Sequence, residues 1–107
     1  MSIFDKRKDV QEKKFVVDEE IRFKAEARTN KLLALWAAQQ MGLPEQDALL
    51  YAMDMVEASV ANRNGWDAAA RVHADLEKKG FRQSEADVRA ERERLYEVAI
   101  EQIKDGI

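Results

Sequence analysis

The sequence predicts an all-α fold, a four-helix bundle with a flexible or frayed amino-terminal extension. Three features point there. Apolar residues recur at the 3.6-residue spacing in four separate stretches. Charged residues fill 36% of the 107 positions, while the four Gly and the single Pro fall at the edges of those stretches. No run alternates polar and apolar residues as a half-buried strand would, and there is no hairpin signal.

The longest helical pattern runs from Asp18 to Met41 with no Gly or Pro inside it. Asp18 suits the cap, and Glu19 and Glu20 sit where the helix dipole favours negative charge. Ile21, Ala25, Leu32, Leu35 and Trp36 share a face, and from Leu32 to Ala38 the helix is apolar nearly all round, as in a helix enclosed by others. Burial of Leu32, Leu35 and Trp36 contributes about 1.5–3 kcal/mol each, so Trp36→Ala is expected to cost more than any surface change. Gly42 supplies a left-handed cap, Leu43 its apolar contact, and Pro44 the stop.

The second helix, about 44–62, carries an apolar stripe of Leu49, Ala52, Met53, Val56 and Val60. Met53 and Met55 are expected to fill core space, the commoner use of methionine at this spacing, with an adaptable binding surface as the alternative. Asn64 is the expected cap of a third helix over 65–79, with Asp67 in its first turn. Its inner face is Ala69, Val72 and Leu76. Lys78 and Lys79 suit its end, and Gly80 with Phe81 closes it. Ser84 to Asp87 forms a capping box for the last helix, 84–104, which buries Val88, Leu95, Ala99 and Ile103 beside Tyr96 and Val98. Arg92 lies in that stripe and is expected to send its guanidinium to water or a carboxylate. Phe23 points away from the Ile21–Trp36 stripe, towards another helix or a partner.

Residues 1–17 differ from the rest. Phe4, Lys8, Gln11 and Phe15 share a face if helical, but two aromatics three turns apart make no core. An isolated helix this short does not offset its nucleation cost. The chain therefore divides into an arm, 1–17, that is either a frayed extension of the long helix or a segment that folds on a partner, and a bundle, 18–107.

Composition narrows function. Without Cys there is no disulfide, thiolate nucleophile or thiolate metal site. The charged start is no secretory signal and no apolar run reaches the ~18 residues of a membrane span, so a soluble, cytoplasmic protein is expected. Residues 1–31 carry nine Lys/Arg against seven Asp/Glu, and residues 32–107 nine against fourteen. A net acidic body without a dense basic face argues against nucleic acid. His73 is the single histidine, better placed as a half-buried structural residue than as a metal ligand or base; a pH-sensing role is the residual alternative. No Walker loop, dinucleotide fingerprint or nucleophile elbow is present. An enzyme is not expected, and no catalytic residue, metal ligand or required cofactor is assigned.

The run Phe4-Asp5, Arg7, Lys14-Phe15, Asp18-Glu19-Glu20, then RFKAEAR at 22–28, NKLL at 30–33 and LWAA at 35–38, resembles the zeta subunit of alphaproteobacterial F-type ATP synthases. The resemblance implies a four-helix bundle whose amino-terminal segment enters the catalytic head of the ATPase near the central stalk. There the segment becomes helical and blocks rotation during hydrolysis, much as the mitochondrial inhibitor protein does. It also places the protein in the cytoplasm, peripheral to the inner membrane through the synthase, without direct membrane insertion. By resemblance the partner-binding residues are Phe4, Asp5, Arg7, Gln11, Lys14 and Phe15. Gln11 stands where inhibitory members tend to have a third aromatic. Lys6, Lys8, Lys13 and Val17 also depart from the usual arm, and Thr29 and Ala34 replace a usual Arg and Gly. A regulatory subunit that keeps the fold and inhibits weakly, or not at all, is therefore expected. The alternative, also implied by the family, is a small sensor that binds ATP or ADP weakly, with Arg28, Lys31 or Arg92 near the phosphates. No motif locates that nucleotide site.

Overall fold

Three of the four helices end in the same way, and those ends fix the connections between them. In the computed structural model, which describes residues 19–62 and 66–107, α1 spans Glu19–Gln40, α2 Glu45–Ala61, α3 Ala68–Lys78 and α4 Glu85–Lys104. The described residues contain no strand. At the end of α1 the Leu43 amide donates to the Ala38 carbonyl at 3.0 Å and Gly42 to Gln39 at 3.1 Å. Gly42 has φ +71°, a conformation strained for any residue with a Cβ. Phe81 to Leu76 and Gly80 to Glu77 repeat this pattern at the end of α3. So does Ile107 to Gln102 after α4, an end that the pattern of apolar residues alone does not mark.

The helix starts are less uniform. Ser84 and Asp87 form the expected capping box: Ser84 Oγ accepts from the Asp87 amide at 3.0 Å, and Asp87 accepts from the Ser84 amide at 3.4 Å. The third helix starts later than 65. Its cap is Asp67, whose Oδ1 accepts from the Ala69 and Ala70 amides, so Asp67 precedes the first turn instead of sitting in it. Asn64, the residue expected to cap it, lies outside the described residues, as does Asp18 before α1.

Asp67 also receives the Arg89 guanidinium from α4 at 2.5 Å, which joins the starts of two helices. That hydrogen bond, aided by the two backbone amides and opposed by some burial, holds the Asp67 carboxyl below its usual range. A depressed carboxyl contributes stability that is present above the unfolded-state value and lost as pH falls through the folded-state value. Asp67→Ala is expected to cost about 1 kcal/mol at neutral pH, nearly all of it from the lost cap, because the exposed ion pair adds little. Thermal melts from pH 7 to 3 are expected to show the variant's deficit closing below about pH 4. A deficit unchanged down to pH 3 would contradict the assignment.

α1 is the central element. It packs against α2, α4 and α3, and α3 also packs against α4. Its fully buried positions are Ala25, Thr29, Leu33, Ala34, Ala37 and Ala38. Leu32, Leu35 and Trp36 lie at the core margin, partly buried. The inward face is thus turned from the expected one, and the reason is size. Ala34, Ala37 and Ala38 let neighbouring backbones approach, while the larger side chains flank the contact. Thr29 is buried because its hydroxyl donates to the Ala25 carbonyl at 2.6 Å and needs no other partner.

α2 shows the same substitution of small for large. Ala52 and Met55 are buried, whereas Leu49, Met53 and Val60 are 48%, 61% and 47% exposed. The stripe expected to face the core therefore faces outward along most of its length. Met55 fills core space as expected; Met53 does not. α3 buries Ala69, Val72 and Leu76, and α4 buries Val88, Leu95 and Ala99, both as the spacing predicts, with Ile103 partly buried.

Candidate partner-binding site

The six residues assigned to partner binding, Phe4, Asp5, Arg7, Gln11, Lys14 and Phe15, all lie outside the described residues. The described structure shows the place where their segment joins the bundle. α1 begins at Glu19, and its first turns border a cleft of about 1030 Å³. Arg22 and Phe23 line it from α1, Val60 from the end of α2, Trp66 from the loop, and Arg89 and Arg92 from α4. Phe23, 47% exposed, also lines a groove of about 500 Å³ with Ala27, Val56 and Ile103. Its side chain therefore sits at the junction of two concave surfaces near the start of α1, in keeping with its placement away from the main stripe.

The cations near these surfaces are largely engaged by the fold itself. Arg92 pairs with Glu26 of α1 and also donates to Asn30 Oδ1 at 3.4 Å. Its expected carboxylate is therefore Glu26, and the pair ties α4 to α1. Arg28 donates to Gln102 Oε1 at 3.3 Å and to the Ile107 main-chain oxygen at 2.8 Å. Lys31 is exposed. Of the three cations considered for a nucleotide phosphate, two would have to leave protein partners to meet one.

A second polar cluster joins α2 to α3. The Tyr51 hydroxyl donates to Asp75 at 2.6 Å, and Arg71 bridges Asp75 at 3.3 Å and Asp54 at 2.9 Å. The Arg71 guanidinium lies 5.9 Å from the centre of the Tyr51 ring. Burial, then the hydrogen bond to Asp75, pushes the Tyr51 phenol far above its ordinary value. Every charge in the cluster has a partner, so its work is to hold two helices together. His73 is half-buried as expected, with Nε2 3.8 Å from Glu77 one turn on. Among the described residues no group of three or more His, Cys, Asp or Glu is placed to hold a metal.

The outer face of α2 is a surface that the sequence pattern assigns to the core, with a binding surface at Met53 and Met55 as the alternative; Met53 is on it and Met55 is not. Leu49, Leu50, Met53 and Val60 are half-exposed or more. The same helix carries Glu45, Asp47, Asp54 and Glu57 and no basic residue. The signal was present in the sequence: α2 has more apolar positions than one core-facing stripe can use. Contiguous exposed apolar surface with a charged rim marks an interaction site.

A small helical bundle with its internal charges paired and an acidic, apolar outer face is a protein-binding module. The chain belongs to the ATPase inhibitor subunit zeta family, whose model matches residues 1–102. That membership gives it a regulatory, inhibitory role and not a catalytic one. A protein with a solution NMR structure is similar at 39% identity and a TM-score of 0.66, over 81% of this chain and 99% of that one. No curated protein matches. None of the described helices is long and apolar enough to cross a membrane.

Proposed function

We propose that the protein binds the catalytic head of an F-type ATP synthase and restrains ATP hydrolysis through residues 1–17, with weakened potency. Phe4 and Phe15 are the anchors, and Asp5, Arg7 and Lys14 the polar contacts. The observation that carries this reading is the reach of the family match. It starts at residue 1 and so includes the arm, not the bundle alone. The bundle supports it as well, because the described residues of α1 to α4 pack into a core cluster of their own. Gln11 explains the weakened potency, since an amide between two Phe anchors carries its own desolvation cost into an apolar interface.

The test is an ATP hydrolysis assay on the synthase from the same organism. Wild type should inhibit weakly, and Phe4→Ser/Phe15→Ser in the full chain should abolish inhibition with an unchanged melting curve. Full inhibition by the double variant would overturn the arm assignment. Capture of the synthase from extract by the intact protein, and its loss with the double variant, would identify the partner independently.

A further inference from the structure

The exposed stripe of α2 and the arm match in length, charge and position. Leu49 to Val60 and Phe4 to Phe15 each span eleven residue steps, about 16–17 Å of helix. The stripe belongs to a helix with four acids and no base, whereas residues 1–17 hold five Lys/Arg against three Asp/Glu. Glu19, the first residue of α1, shares its cleft with Val60 and Asn62 at the end of α2. The arm therefore leaves the bundle beside one end of the stripe.

We propose that, in the free protein, residues 4–15 dock as a helix along the Leu49–Met53–Val60 face of α2, which stores the arm on its own body. Residues 16–18 form the reversal, within the two to five residues that commonly join antiparallel helices. Phe15 then lies towards Val60 and Phe4 towards Leu49, with arm lysines alongside the exposed Glu57 and Glu45. A second copy is the poorer occupant, because it would bring one acidic helix against another. A basic helix of another protein fits the chemistry but lacks the tether, which gives the arm a millimolar effective concentration. The regulatory consequence, competition between self-docking and the ATPase, rests on the arm-based function proposed above. The docking itself does not.

The absence of native Cys allows a single nitroxide label at Ser2→Cys in the full chain. Amide signals of Leu49, Leu50 and Met53 are expected to lose about half their intensity or more, given that effective concentration. Met53→Lys changes a site that is 61% exposed and should restore the signals with the fold intact. No broadening on α2, or broadening that survives Met53→Lys, would overturn the proposal. Broadening of isotope-labelled chains by separately spin-labelled chains would also overturn it, in favour of a second copy. No ATPase is present in the experiment, so its failure would leave the inhibitory reading standing.

Discussion

Leu33→Ala is expected to lower stability by about 3 kcal/mol and the melting temperature by about 12–24 °C, whereas Leu32→Ala should cost about 1 kcal/mol. The two residues are neighbours of identical type, so propensity and composition are unchanged between the variants. They differ only in burial. Leu33 is wholly buried on the helix that contacts all the others, and Leu32 sits at the core margin. Removing Leu33 leaves a cavity facing Ala52, Met55, Val72 or their neighbours in the same core, and a close-packed interior collapses onto such a space only partly. Removing Leu32 opens onto surface that water can refill. Thermal melts of both variants at neutral pH check this. Equal losses, or a larger loss at Leu32, would restore the rotation that the sequence pattern suggested and contradict the structure.

That comparison shows why the register of α1 was hard to read. The stretch Leu32 to Ala38 is apolar at almost every position, so spacing cannot say which residues point inward. Three neighbours settle it in the fold, by choosing the alanine face for closest approach. α3 and α4 carry fewer apolar residues, each set on one side, and there Val72, Leu76, Val88 and Leu95 were legible directly. Terminal chemistry was legible wherever it is local: Gly42, Gly80 and the Ser84 capping box depend only on residues within one turn. Asp67 was misplaced because two good caps, Asn64 and Asp67, stand three residues apart. The choice between them depends on Arg89, which comes from another helix.

The candidate site divides on the same line. Its family-matched residues were legible as a motif because an arm that works on a partner keeps its anchors close together in sequence. The outer face of α2 was not, since its stripe was assigned to the core. Both surfaces share one physical feature: apolar side chains that no core stripe uses. Leu49, Met53 and Val60 are such residues by their exposure, Phe4 and Phe15 by their distance in sequence from any core stripe. A chain with two unsatisfied apolar faces of opposite charge bias has reason to bring them together when no partner is present.

Gln11→Phe is expected to raise inhibitory potency by about thirtyfold, the equivalent of about 2 kcal/mol for a buried aromatic anchor. In a helix Gln11 lies on the same side as Phe4 and Phe15, so the substitution makes the apolar face continuous. A thermal melt of the variant checks that the bundle is still folded. Titration of the variant against the synthase, read as the concentration for half-inhibition of hydrolysis, checks the gain. No gain at all would remove Gln11 as the cause of weakness. Self-docking adds a condition, since a third aromatic strengthens the arm's hold on α2 as well as on the ATPase. The thirtyfold figure is then the gain measured in the Met53→Lys background, where the α2 face is spoiled. In the wild-type background the same substitution should gain less. Equal gains in both backgrounds would mean that the arm has only one apolar surface to choose, and that surface is not its own.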